Sequence, residues 1–206
     1  MNQTTRTRRI VVAITGASGS AYGKRILELC RLVEDVETHL IISRGARSTI
    51  HSELQISTSE LGELADVVHS EADLGASISS GSFRTDGMII APCSIKTLSG
   101  IANSYDDNLV VRAADVSLKE GRPLLLLVRE TPLHAGHLRL MSLAAESGAI
   151  LYPPVPALYT SPDSVEEIID HTCRRALERI GIHLEDTLHW EGLNRGAVRS
   201  GHSVGS

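Results

Sequence analysis

The chain has 206 residues, enough for one α/β domain with a buried core and short for two. Apolar residues make up 42% and charged residues 22%, an ordinary balance for a globular protein that argues against extended disorder. The net charge of -5 gives no sign of the basic face that a nucleic-acid binder needs, so any anion site must be local. Apolar runs such as Leu124 to Val128 fall far short of the roughly 18 residues of a membrane span, and the basic start of the chain leads into a glycine turn without a cleavage pattern. Cys30, Cys93 and Cys173 are odd in number and widely spaced, which fits a reducing cytoplasm better than a disulfide or zinc framework.

In chain order, residues 9–15 (RIVVAIT) read as a β-branched strand, followed by the turn TGASGSAYG and a helix over 21–33. A second strand over 37–43 leads into a helix near 44–53. A third strand, GMIIAPCS (87–94), precedes helices over 95–103 and 108–119. A fourth, RPLLLLVRE (122–130), precedes a helix over 137–147, and AILYPP (149–154) is a fifth, before a last helix over 164–180. Apolar strands alternating with amphipathic helices predict a doubly wound parallel sheet, a Rossmann-like or flavodoxin-like three-layer sandwich. We expect a flexible start over 1–8, one domain over 9–190 and a partly disordered tail over 191–206.

In such sheets ligands gather outside the carboxyl ends of the strands. Those positions carry Gly16, Ala17 and Ser18, then Ser43, then Ser94, Ile95, Lys96 and Thr97, then Arg129 and Glu130, and finally the segment reaching Tyr159. The first turn can supply amides at a helix N-terminus, where an anion is favoured. Its glycines at 16, 19 and 23 do not make the G-x-G-x-x-G spacing of a dinucleotide site, and Glu37 opens its strand instead of ending it, so NAD is disfavoured. A tight turn with Ser18 or Ser20 as a helix cap is an equal alternative. Ser94 and Thr97 likewise cap a helix or cradle an oxyanion beside Lys96.

Arg112, Lys119, Arg122, Arg129 and Arg139 cluster in one stretch. Arg112 and Lys119 share a helix face, either a cationic stripe or a solvated face paired with Asp115 and Glu120, and charged Arg129-Glu130 end an apolar strand, where they are costly unless they serve a site. The proline-rich loop YPPVPALYTSP (152–162) walls a pocket or simply connects elements. Cys93 reads as a small buried residue and His134 and His137 as helix-start histidines, with no metal set in view.

Together TGASGSAYG, the stretch from ISSGSFRTDG through LHAGHLRLM, and GAILYPPVPALY resemble the UbiX-type flavin prenyltransferases, a branch of the flavoprotein family that also holds cysteinyl-peptide decarboxylases. The resemblance runs from about Ile10 to Trp190. It implies a metal-independent homododecamer that binds FMN. The reaction it implies joins the dimethylallyl group of dimethylallyl phosphate to N5 and C6 of reduced FMN, and the prenylated FMN is passed to a UbiD-type decarboxylase.

It places FMN contacts at Gly16, Ala17, Ser18, Ser43, Ser94, Ile95, Lys96, Thr97 and Arg129. Contacts to the allylic phosphate fall at Arg112, Lys119, Arg129, Glu130, Tyr159 and Arg175. Catalytic roles fall to Ser18 and Glu53 near the flavin N5, to Lys119 and Glu130, and to Trp190 at the pocket mouth. Thr15 stands where serine is common. The alternatives are an FMN-dependent decarboxylase of the cysteinyl-peptide type, which has no use for a phosphate clamp, and a flavin-binding module without catalysis.

Overall fold

The computed structural model describes residues 6–185 and 187–190. In chain order the elements are β1 (Arg8–Ile14), α1 (Ser20–Cys30), β2 (Val36–Ile42), α2 (Ala46–Leu54), α3 (Thr58–Gly62), β3 (Val67–Ser70), β4 (Gly87–Cys93), α4 (Ile95–Ala102), α5 (Leu109–Lys119), β5 (Leu124–Val128), α6 (Ala135–Glu146), β6 (Ile150–Leu151) and α7 (Val165–Glu178). The strands form one sheet in the order β3-β2-β1-β4-β5-β6, and every neighbouring pair is parallel. This is the doubly wound arrangement expected from the alternation of apolar strands and helices.

The two-residue period of a strand divides the core between the faces of the sheet. Ile10, Val12 and Ile14 of β1, with Ile89 of β4 and Leu125 and Leu127 of β5, meet Ile26 and Leu27 of α1, Ile50 of α2 and Cys173, Ala176 and Leu177 of α7. The alternate residues Val11, Ala13, Met88, Ile90, Leu124 and Leu126 meet Leu98 of α4, Leu109, Val110 and Ala113 of α5, and Ala144 of α6. Strands buried on both faces explain why they read as unbroken apolar runs. Helix starts are fastened by side chains: Ser94 accepts the Thr97 amide, Asn108 the Val111 amide and Ser164 the Glu167 amide.

Several expectations need adjustment. The edge strand β3 and the short helix α3, opened by a reciprocal Ser57–Glu60 capping box, were not foreseen. Only two residues of the fifth expected strand are strand. Within the start expected to be flexible, Arg8 opens β1 and pairs with Asp35, and Arg6 pairs with Asp86. The expected tail over 191–206 lies outside the described residues. None of the described helices is long and apolar enough to cross a membrane.

From β1 the chain winds outward through β2 to β3 and then returns to β4 on the other side of β1, so the winding reverses between β1 and β4. Loops leaving the carboxyl ends of these two strands turn away from each other and open a crevice.

Candidate active site

The crevice is a cavity of about 1480 Å³. Four strand ends line it as topology predicts: Gly16, Ala17 and Ser18 after β1, Ser43 after β2, Ser94 to Thr97 after β4, and Arg129 with Glu130 after β5. Two loops meet closely at its floor. A Cβ on Gly16 would stand 3.0 Å from the Gly45 carbonyl carbon, so only glycine lets the turns after β1 and β2 approach this far. Ser43 is tied to both: its amide donates to Ile14 O (3.0 Å) and its hydroxyl accepts the Ala46 amide (3.3 Å).

The two helix N-termini at the switch point differ in their ligands. Gly19, at φ +108°, opens α1 without a side-chain cap of its own, which sets aside the reading of Ser18 or Ser20 as that cap. Glu53, on α2, fills the position instead. Its carboxylate accepts the Gly19 amide (3.0 and 3.2 Å) and the Ser20 amide (2.8 Å), with the Ser18 hydroxyl near enough to favour its charge. Desolvation opposes its charge, but these hydrogen bonds outweigh it and hold the carboxyl below its ordinary value. With the Ala17 amide on Thr15 O (2.8 Å), most amides of the first turn are already engaged, contrary to the expectation that they cradle an anion.

The N-terminus of α4 is different. Ser94 caps the Thr97 amide (3.3 Å) and bonds its hydroxyl (3.1 Å), while the amides of Ile95 and Lys96 lie outside the helix's own hydrogen-bond ladder. Those amides, the Lys96 ammonium and the dipole of α4 make this the anion-receptive end of the cavity.

The remaining expected residues are spread more widely. Glu130 lines the cavity and accepts the Thr131 amide (3.0 Å). Arg112 does not line it: its guanidinium is occupied by Ser79 O (3.1 Å), Asp106 (3.1 Å) and Asp115 (3.3 Å). Lys119 ends α5, which runs antiparallel to the strands, so it stands at the amino edge of the sheet, opposite the cavity. Arg122, from the same cationic stretch, holds the backbone carbonyls of Gly81 and Phe83.

Tyr159 and Arg175 both lie within electrostatic reach of Tyr152, beside α7. Trp190 packs edge-on against Tyr159 at 5.4 Å between centroids. Arg129 reaches toward this side too, since its charge acts on the Tyr22 hydroxyl. Within one chain, then, the residues expected to contact FMN converge, whereas of those expected at the allylic phosphate only Arg129 and Glu130 line the cavity.

Cys93 is fully buried and burial pushes its thiol up to about 12, which leaves it chemically quiet. His134 caps α6 by accepting the Gly136 amide (3.0 Å) and stacks on His137. Sequence reasoning missed Arg47 and Glu71 as lining residues, while Arg139, from the cationic stretch it singled out, does line the cavity. Glu71, which accepts the Arg44 amide (2.6 Å), follows the unforeseen β3, so the same strand-end rule would have found it.

A family model described as Flavoprotein matches residues 1–174. The flavin prenyltransferase UbiX of Escherichia coli is 56% identical over 187 residues, covering 90% of this chain and 99% of that protein. A dodecameric FMN-dependent UbiX-like decarboxylase from Escherichia coli O157:H7 superposes with a TM-score of 0.87 at 46% identity, covering 89% of this chain and 100% of its own. AnUbiX, solved in complex with FMN and dimethylallyl pyrophosphate, superposes with a TM-score of 0.88 at 46% identity over 91% of this chain and 99% of its own. With identity this high across nearly the whole chain, and a polar cavity at the switch point in place of a dinucleotide fingerprint, the chain belongs to the flavoprotein family, in the branch of the UbiX flavin prenyltransferases.

Proposed function

We propose that this chain joins the dimethylallyl group of dimethylallyl phosphate to reduced FMN and supplies the prenylated product to a UbiD-type decarboxylase. The observation that carries this reading is the cavity at the carboxyl edge of β1 and β4, lined by hydroxyls, cations and an open helix N-terminus. That donor set suits FMN. The α4 turn with Lys96 and Ser43 receives the phosphate, Gly16 and Gly45 leave room for close backbone approach, and Arg129 closes the β5 side. Reduced FMN supplies the electron-rich ring positions that accept the allyl group.

The chain's own part is electrostatic and positional. Leaving phosphate gathers negative charge, which Arg129 stabilises at the cavity wall. Glu130 beside it relays a proton during the reaction, and Ser18 passes a proton between the reacting edge and the ionised Glu53. Lys119, Tyr159 and Arg175, with Arg112 close by, join the clamp only where copies of the chain pool them, because Lys119 stands at the far edge of its own sheet. A dodecamer like that of the similar Escherichia coli structure supplies such neighbours. Anaerobic incubation of the purified chain with reduced FMN and dimethylallyl phosphate, followed by mass spectrometry of the flavin, tests the proposal. The flavin gains the mass of one prenyl group; an unchanged flavin mass overturns it.

A further inference from the structure

Thr15 follows β1 directly, is fully buried and does not line the cavity. Its hydroxyl donates to Pro92 O (2.8 Å) and accepts the Ser94 amide (2.8 Å). Its own amide donates to the same Pro92 carbonyl (3.2 Å). One side chain therefore ties the end of β1 to the end of β4 across the switch point, using its donor and an acceptor at once. Each partner continues into the cavity. Next to Thr15 is Gly16, seated against Gly45. On the other strand is Ser94, whose orientation sets the cap of α4 and the position of Thr97.

We propose that Thr15 is a positioning residue for the FMN site: its hydroxyl fixes the spacing between the Gly16–Ser18 turn and the Ser94–Thr97 turn, and so sets the affinity for FMN without touching it. The proposal rests on the reading that the cavity holds FMN. The chemical requirement is narrow. A side chain here must both donate and accept from its β-carbon, which serine meets and valine, of nearly the same shape, does not. With valine the partly buried Ser94 amide faces a methyl group, and the start of α4 must turn to recover a partner.

The test compares Thr15→Val and Thr15→Ser with the unaltered full chain. FMN affinity is read from flavin fluorescence, the fold from thermal melting without FMN, and turnover from prenylated flavin. Thr15→Val weakens FMN binding about tenfold or more. It raises the KM for FMN by a similar factor while kcat at saturating FMN stays within about twofold. Thr15→Ser restores wild-type affinity to within about twofold. Folded Thr15→Val binding FMN as tightly as wild type overturns the proposal, as does Thr15→Ser losing as much affinity as Thr15→Val. Should Thr15→Val not fold, Thr15→Cys, with its weak donor and acceptor, must bind FMN less tightly than wild type; equal affinity refutes the role. Failure of the unaltered chain to bind FMN refutes the reading of the cavity instead.

Discussion

Gly23 sits where α1 crosses the sheet, and Gly23→Ala measures how tightly that crossing is set. A Cβ there would lie 2.4 Å from Ala91 O on β4 and 2.6 and 2.7 Å from two carbons of Ile14. Ile14 can shift its outer carbons, but the Ala91 carbonyl is held by the sheet, so α1 must lift. Overpacking of this kind costs about 1–3 kcal/mol, and the contact with backbone places this substitution near the upper end. Alanine returns up to about 1 kcal/mol through helix propensity. The net loss is about 2 kcal/mol, or roughly 4–8 °C in Tm for a chain of this length.

Thermal unfolding by circular dichroism, at fixed protein concentration and without FMN, reads it directly. Gly62→Ala is the control: its Cβ meets only Val68 at 3.4 Å, so its stability should stay within about 0.5 kcal/mol of wild type. Because a lifted α1 carries the Gly19 and Ser20 amides away from Glu53, FMN binding should weaken in Gly23→Ala as well. An unchanged Tm would show that the sheet yields freely at this crossing and would refute the argument from close approach.

Three further outcomes are expected. Ser18 is exposed and lies beside Glu53, so Ser18→Ala should lower prenylation about a hundredfold while stability stays within about 0.5 kcal/mol; an equal loss of both would remove its role in proton transfer. If copies pool their residues, Lys119→Ala and Ser18→Ala chains, each weakly active alone, should recover activity when assembled together; mixed assemblies without recovery would place both residues in one chain's site. His69 has its pKa lowered by desolvation and by neighbouring His39, with Asp73 opposing. Its neutral form is favoured in the fold, so its contribution is complete above the unfolded value near 6.5 and is lost as pH falls through the lower folded value. His69→Gln should flatten the fall in Tm as the pH drops below about 6.5; an unaltered slope would assign that fall to other groups.

Much of the site is legible in the sequence because a parallel sheet sends all its carboxyl ends to one edge. Gly16, Ser43, Ser94 and Arg129 stand out as the residues following apolar runs, and they do share one cavity. That rule needs only local patterning, since an unbroken apolar strand must be covered on both faces and helices must return the chain to the same edge. It fails where patterning is weak. β3 is an edge strand with Val68 exposed, so VVHS carries no buried run to betray it, and Glu71 is lost with it.

Contacts between distant segments are not legible in local patterning, and only the family resemblance set Glu53 beside Ser18. Nothing near Gly19 indicates that Glu53, on another helix, would take its amide, or that Thr15 would hold Ser94 across the switch point. Helical spacing puts Arg112 and Lys119 on one face, but a face does not say which end of the sheet it reaches. The direction of α5 sends Lys119 to the amino edge, while Asp106 and Asp115 occupy Arg112. By itself the sequence determined the parallel sheet, its ligand edge and the family, because these follow from apolar periodicity and from residues in order along the chain. Tertiary structure alone decided which amides remain for an anion and which charged groups meet, because hydrogen bonds and ion pairs depend on distances that chain order does not encode.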